Sequence, residues 1–155
     1  HIHNPARSNT TEAQVAEVEP GVLMLNMRDN RGGARAVMTT RDLGRTWNEH
    51  VSHRTTLREP VCMASLIAVP AEKNVLGKDL LLFSNPDTTD GRRDITIKAS
   101  LDGGVTWPYS LLLDEGDSWG YSCLTMIDSQ TVGILYESSV AHITFQVVKL
   151  KDIVR

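Results

Sequence analysis

The sequence predicts an all-β protein that forms part of a propeller, and three observations lead to this fold class. Apolar or alternating runs of four to eight residues, rich in Val, Ile, Leu and Thr, recur throughout the 155 residues, separated by Gly, Pro, Asp or Asn. Sustained helical periodicity is hard to find in any segment. A short motif, Ser/Thr-x-Asp-x-Gly-x-Thr-Trp, occurs twice about sixty residues apart, as TTRDLGRTW and as SLDGGVTW. Repeats of this length with short strands are typical of radial blades.

The first repeat unit is expected to contain four strands. Its first three strands correspond to the runs AQVAEV, GVLMLNMR and ARAVMTT. The fourth is expected in the region HVSH, residues 50–53, after the first copy of the motif. The motif therefore lies in the turn between the third and fourth strands.

The second unit follows the same order, with strands expected in CMASLIAV, DLLLFSN, DITIKAS and SLLLDE. A third unit begins at Tyr121 and contains YSCLTMID, TVGILYE and ITFQVVKL. Four strands for each period of about sixty residues fit a propeller better than a sandwich. Residues 1–155 are thus expected to form two blades and most of a third within one propeller domain, without a separate second domain.

The repeated motif is expected to have a structural role. In such a turn the Asp side chain accepts hydrogen bonds from backbone N–H groups, the Gly adopts a positive φ, and the Trp packs beneath the turn. The residues with these roles are Asp42, Gly44, Trp47, Asp102, Gly104 and Trp107.

Composition excludes several functions. The net charge is −3 and the Lys and Arg residues are scattered, which argues against a nucleic-acid partner. No run reaches eighteen apolar residues, so no membrane span is expected. Cys62 and Cys123 each lie in an apolar run, which predicts two buried free thiols and disfavours a catalytic thiol.

Five polar residues lie near strand ends, where a propeller presents side chains on one face. Glu12 precedes Arg28 by sixteen residues, Arg92 lies just ahead of a strand, and Tyr121 precedes Glu137 by sixteen residues. Taken singly, the tyrosine is explained by packing and each charged residue by a solvated surface. A catalytic function therefore requires that these five residues come together in one site.

The motifs in their order resemble a known family. The repeated turn resembles the aspartate box of sialidases and other propellers. TEAQV, NMR, GRRDITIKAS, WGYSCLTMID and VGILYE are similar, in order and spacing, to the second half of bacterial exo-sialidases, over about residues 9–153. The resemblance implies a six-bladed propeller, of which this chain supplies about the last half. It also implies a glycosidase that releases terminal sialic acid with retention of configuration and a tyrosine nucleophile.

The resemblance implies a role for each of the five residues. Tyr121 matches the nucleophile, and Glu12 matches the carboxylate that takes its proton. Arg28 and Arg92 match the second and third members of an arginine triad that binds the sugar carboxylate. Glu137 matches the acid that holds the first triad arginine.

Elementary chemistry agrees with these roles. A phenol has a pKa near ~10 and needs a base to act as a nucleophile at neutral pH. A neutral tyrosine also avoids the repulsion that a carboxylate nucleophile would meet from the substrate carboxylate. Guanidinium groups bind carboxylates through two parallel hydrogen bonds. The family motif places the arginine directly after Gly91, which favours Arg92 and leaves Arg93 as the alternative.

The family also uses an Asp acid and a first triad arginine from the first half of its chain, and neither has a matching motif here. The expected partners are sialylated glycans or glycolipids, together with the N-terminal half of the same enzyme, which a separate chain could supply. Alone, this chain is expected to be inactive. A periplasmic or secreted location is expected, with no signal visible in this sequence.

Two alternative functions are also compatible with the repeated turns. One is a non-catalytic glycan-binding propeller, which has no reason to carry Tyr121 and Glu12 together. The other is an interaction scaffold, against which the two arginine positions argue. His1 and His3 lack a carboxylate at ligand spacing, and RDNRGGAR lacks the helix and Lys of a phosphate loop, so no metal or cofactor is expected.

Overall fold

A computed structural model describes residues 9–140 and 142–155, and these are almost entirely β-structure. A 3-10 turn spans Ala71–Lys73, and one short helix, α1, spans Leu150–Ile153. The strands in chain order are β1 (Thr10–Glu19), β2 (Val22–Asp29), β3 (Gly33–Ala34), β4 (Ala36–Thr40), β5 (Asn48–Glu49), β6 (Arg58–Glu59), β7 (Ser65–Val69), β8 (Leu80–Pro86), β9 (Ile95–Ser100), β10 (Tyr109–Asp114), β11 (Ser122–Asp128), β12 (Thr131–Glu137) and β13 (Ile143–Lys149).

The strands form three antiparallel sheets in sequence order, as predicted, and we call each of these sheets a fan. The first fan has the order β1-β2-β4-β5, the second β10-β9-β8-β7, and the third β11-β12-β13. A short ladder between β3 and β6, which the sequence patterns did not indicate, ties the first fan to the segment that leads into the second.

The fourth strand of the first fan is shorter and earlier than expected. The prediction of a strand at residues 50–53 is wrong, because β5 covers only Asn48–Glu49 and the chain then turns. The His53 N–H donates to the His50 carbonyl at 2.8 Å, and a ring nitrogen of His50 lies 2.7 Å from the Ser52 hydroxyl. Local hydrogen bonds thus replace the ladder that a longer strand would form.

Apolar faces of adjacent fans pack on each other and fix their relative position. Between the first and second fans the buried side chains are Ala16, Met24, Val37, Leu57, Ala64, Leu66, Leu81 and Phe83. Between the second and third fans, with α1 closing one end, they include Leu82, Ile97, Leu124, Val132, Ile134, Leu150 and Ile153. Each large apolar side chain buried in this way contributes roughly 1.5–3 kcal/mol. This packing positions the strand ends that carry the polar residues.

The two repeated turns have closely similar hydrogen bonding. Oδ1 of Asp42 and of Asp102 accepts a backbone N–H from the motif threonine at 2.8 and 2.9 Å. Gly44 and Gly104 have φ values of 86° and 85°, a region that side chains with a Cβ rarely adopt. Each turn therefore connects the third and fourth strands of its fan in the same way.

The two motif tryptophans pack differently beneath their turns. Trp107 meets Phe83 edge to face, with ring centroids 5.8 Å apart, and donates its indole N–H to the Gly104 carbonyl. Trp47 packs against a small cluster that contains Met27 and Met38, and its buried indole N–H meets no acceptor among the described residues.

The cysteines also differ from each other. Cys62 is buried, as predicted, and burial raises the pKa of its thiol to about 11. The prediction for Cys123 is wrong, because this residue is exposed. It lies on β11, an edge strand of the third fan, where alternate side chains point away from the core. Within the described ranges, no helix is long and apolar enough to cross a bilayer.

Candidate active site

Four of the five polar residues meet at one end of the fans. The Tyr121 hydroxyl donates a hydrogen bond to Glu12 Oε1, and Arg28 Nη1 donates to Glu12 Oε2 at 2.7 Å. The Arg92 guanidinium carbon lies 5.8 Å from the centroid of the Tyr121 ring. We call Glu12, Arg28, Arg92 and Tyr121 the Tyr–Glu–Arg cluster.

Glu12 owes its direction to an irregularity in β1. The register of β1 with β2 shifts between Thr11 and Ala13, and Glu12 has a positive φ of 33°. Such bulges re-aim a side chain and are over-represented next to active sites. A non-glycine residue in this region is strained and is held there by its surroundings, here by the Tyr121 and Arg28 hydrogen bonds.

The charges of the cluster stabilise one another. Partial burial disfavours the charged form of Glu12, but hydrogen bonds from Tyr121 and Arg28 outweigh it and lower the pKa of Glu12. The hydrogen bond to Glu12, with some burial, raises the pKa of Tyr121. Although burial opposes it, the contact with Glu12 also raises the pKa of Arg28. In the resting cluster the tyrosine is therefore a neutral phenol beside an ionised carboxylate.

Backbone carbonyls hold Arg92 in place. Its Nη1 donates to the Trp119 carbonyl at 2.8 Å, and its Nη2 donates to the Val61 carbonyl at 3.1 Å. Gly120 permits this close approach, because a Cβ there would lie 2.8 Å from Pro86 and 3.2 Å from the Arg92 side chain. The Arg92 side chain thus lies in the cluster and spans two loops.

Arg93 points elsewhere. It is exposed, its Nη1 donates to the Asp90 carbonyl at 2.7 Å, and its Nε lies 3.9 Å from Asp94 Oδ2. The two neighbouring arginines are therefore distinct in position, and the one directly after Gly91 lies beside Tyr121.

Glu137 lies behind the cluster and holds the backbone of the tyrosine. Its Oε2 accepts the Tyr121 N–H at 2.9 Å, while its own N–H donates to the Tyr121 carbonyl at 3.0 Å. Within the described residues this carboxylate binds no arginine, so its expected partnership with a first triad arginine stays a prediction. The contact with Tyr121 was not foreseen from the sequence.

A buried ion pair beneath the cluster was also missed. Arg35 and Glu59 have fully buried side chains, and Arg35 Nη1 donates to Glu59 Oε2 at 2.6 Å. Arg35 Nε also donates to Asn26 Oδ1 at 2.7 Å, and its Nη1 to the Cys62 carbonyl at 2.7 Å. The signal was available in the run GGARAVM, where a charged residue opens an otherwise apolar strand.

The described residues contain no group of three or more His, Cys, Asp or Glu side chains arranged to hold a metal ion. His1 and His3 lie outside the residues that the structure describes. The arrangement that remains is a phenol, a base and two guanidinium groups, which suits chemistry on an anionic substrate.

Comparisons with known proteins agree with the fold and the repeats. The model of the BNR repeat-like domain family matches residues 1–135. A sialidase of Bacteroides fragilis is 74% identical over 156 residues, covering 99% of this chain and 29% of that protein. The solved Hadza microbial sialidase Hz136 is 97% identical, with a TM-score of 0.95, covering 99% of this chain and 30% of that one.

A more distant structure has the same fold. The intramolecular trans-sialidase of Ruminococcus gnavus, solved with oseltamivir carboxylate, is 25% identical with a TM-score of 0.75, covering 97% of this chain and 34% of that one. The chain thus spans about a third or less of the relatives it matches. The prediction of a sialidase-type propeller, supplied only in part by this chain, is confirmed. The chain belongs to the BNR repeat-like domain family.

Proposed function

We propose that the complete protein containing this chain is an exo-sialidase that releases terminal sialic acid from sialylated glycans or glycolipids with retention of configuration. The observation that carries the proposal is the hydrogen bond from the Tyr121 hydroxyl to Glu12, with Arg28 and Arg92 beside it. A phenol paired with a base and flanked by guanidinium groups serves nucleophilic attack on a substrate that bears a carboxylate.

In the first step the Tyr121 oxygen forms a bond to the anomeric carbon while the glycosidic bond breaks. The phenolic proton moves to Glu12, and the departing oxygen takes a proton from an acid in another part of the protein. In the second step water attacks the anomeric carbon and gives a proton to the conjugate base of that acid. The bond between the Tyr121 oxygen and the anomeric carbon breaks, and the departing phenol oxygen regains its proton from Glu12. The two displacements together retain configuration.

The role of Glu12 follows from charge. Direct attack by a carboxylate would place two negative groups around one carbon, since the substrate carboxylate is attached to the anomeric carbon. A neutral phenol avoids this repulsion, and Glu12 supplies the negative charge from a greater distance. The lowered pKa of Glu12 keeps this group ionised and ready to accept the proton at neutral pH.

Arg28 and Arg92 are proposed to bind the sugar carboxylate. Arg28 binds the same Glu12 carboxylate as Tyr121, and the Arg92 guanidinium carbon lies 5.8 Å from the centroid of the Tyr121 ring. Two backbone carbonyls pre-orient Arg92. A guanidinium held in this way loses little freedom on binding, and its planar donors match a carboxylate.

The remaining groups are proposed to come from the part of the protein outside this chain. In this proposal an Asp acid and a further arginine complete the site, and Glu137 orients that arginine with the carboxylate oxygen opposite the one bound to Tyr121. On this basis the chain is inactive alone and works with an N-terminal partner segment. A periplasmic or secreted location is proposed for an enzyme that acts on sialylated glycans.

The test is the stereochemistry of the released sugar. The complete protein is incubated with a sialoside, and the first anomer formed is followed by proton NMR. Retention, together with a mass increase on the peptide containing Tyr121 after reaction with a fluorinated sialic acid, is expected. Inversion, or label on another residue, would overturn the nucleophile. Binding of the sialoside without release would support the non-catalytic glycan-binding alternative.

A further inference from the structure

We propose that the buried Arg35–Glu59 pair is a positioning unit that sets the separation of Arg28 and Arg92, and thereby the affinity for the substrate carboxylate. This inference rests on the proposed function, because it concerns how the two carboxylate-binding arginines are held. Neither member of the pair belongs to the Tyr–Glu–Arg cluster.

The pair binds the strand that carries Arg28. Arg35 Nε donates to Asn26 Oδ1 at 2.7 Å, and Glu59 Oε1 accepts the backbone N–H of Asp29. These contacts lie on β2 on both sides of Arg28, two residues before it and one residue after it. Because alternate side chains of a strand share a face, Asn26 and Arg28 lie on the same side of β2.

The same guanidinium also holds the loop that binds Arg92. Arg35 Nη1 donates to the Cys62 carbonyl at 2.7 Å, and the adjacent Val61 carbonyl accepts Arg92 Nη2 at 3.1 Å. Val61 has a φ of 56°, which is rare for a β-branched residue and persists only where the surroundings impose it. The hydrogen bond to Cys62 is a direct restraint on this strained segment.

Arg35 therefore connects the supports of both arginines through one rigid, buried group. Its side chain and that of Glu59 are fully buried, so neither has solvent to replace a lost partner. A hydrophobic pair could fill the same space but could not hold the Asn26 side chain and the Cys62 carbonyl together. A displacement of about 1 Å at a binding group can cost ~100-fold in rate, so this restraint has a measurable consequence.

The experiment compares two inhibitors on the complete protein. One is an unsaturated sialic acid analogue with its carboxylate, and the other is the same molecule with the carboxylate reduced to an alcohol. In Arg35→Met the inhibition constant of the carboxylate compound is expected to rise roughly tenfold to a hundredfold, while that of the alcohol stays within about twofold. Arg35→Lys, which keeps the charge and part of the hydrogen bonding, is expected to fall between Arg35→Met and the parent.

Two further variants separate positioning from stability. Glu59→Gln preserves volume but replaces one acceptor oxygen with an NH2 donor, so the side chain can no longer accept from both the Asp29 N–H and Arg35. This variant serves if Arg35→Met does not fold. It is expected to raise the inhibition constant of the carboxylate compound more than that of the alcohol. Val132→Ala creates a cavity in the buried core, at the end of β12 that is far from Glu137. It is expected to lower the melting temperature without changing the ratio of the two inhibition constants.

The outcomes are distinguishable. If the folded variants raise both inhibition constants by the same factor, or change neither, the positioning role is overturned while the proposed function stands. If the parent protein itself does not prefer the carboxylate compound, the proposed function fails and this inference fails with it.

Discussion

The Tyr121 hydroxyl donates a hydrogen bond to the Glu12 carboxylate across 109 positions of the sequence. Glu12 is at a bulge of the first strand of the first fan, and Tyr121 directly precedes the first strand of the third. The pairing therefore depends on how the three fans pack against one another.

Tyr121→Phe in the complete protein is expected to remove nearly all release of a fluorogenic sialoside, because the hydroxyl forms the covalent bond. Folding should persist, since the ring remains. Tyr109→Phe, which removes a hydroxyl from β10 in the second fan, is the matched control and should keep full activity. Activity of Tyr121→Phe within threefold of the parent would rule out this nucleophile.

Glu12→Gln is expected to lower kcat by roughly a hundredfold or more, because a neutral amide cannot accept the phenolic proton. Glu17→Gln on the same strand is the control, since the Glu17 carboxylate accepts only the exposed Gly21 N–H at 2.8 Å in the part of the chain described. A rise in KM with unchanged kcat would instead make Glu12 a substrate ligand.

Arg28→Lys and Arg92→Lys are each expected to weaken binding of a sialic-acid-like inhibitor, because a lysine cannot reproduce the planar fork of donors. Arg93→Lys is the internal control and should change binding little, since Arg93 is exposed and contacts Asp90. Calorimetric titration of the three variants gives the comparison. A larger effect at Arg93 than at Arg92 would move the binding role by one position.

Asp29 should contribute to stability in a pH-dependent way. Burial disfavours its charge, but hydrogen bonds from Arg31 and Arg54 prevail and lower its pKa from 3.8 to about 2. A depressed folded-state pKa stabilises the fold above the unfolded-state value, and this contribution, about 2 kcal/mol, is lost as the pH falls from about 4 to about 2.

Urea unfolding of the parent and Asp29→Asn at pH 6 and pH 3 tests this contribution. The difference in unfolding free energy between the two proteins should shrink at the lower pH. A difference that is constant between the two pH values would contradict the linkage.

The chain expressed alone should be inactive and prone to aggregation. The edge strand β13 exposes an apolar row, with Ile143 at 71%, Phe145 at 58% and Val147 at 52% exposure. The open edge of β13 is a site for uncontrolled strand pairing, and the exposed apolar row is a site for hydrophobic association, unless another segment covers them. Light scattering should detect large species, and co-expression with the rest of the propeller should yield a compact active particle. A soluble, monomeric and active chain would contradict this expectation.

The sequence by itself determined the order of the strands, the two repeated turns and the identity of the polar residues at the strand ends. These features depend on neighbours in the chain: alternation of side chains within a strand, and the Asp and Gly of a turn whose hydrogen bonds close over four residues. Features of this kind can be predicted from the sequence without knowledge of the fold.

Only the tertiary structure decided which groups meet and which are buried. The bulge that aims Glu12 depends on the pairing with β2. The exposure of Cys123 depends on the uncovered face of its sheet, where the paired Leu135 is also exposed. At the end of β5, the Val37 N–H donates to the His53 ring 16 positions away. The Arg35–Glu59 pair joins residues 24 positions apart in a site that excludes water. A buried charge is stable only where distant partners converge on it, and that convergence is a property of packing between strands.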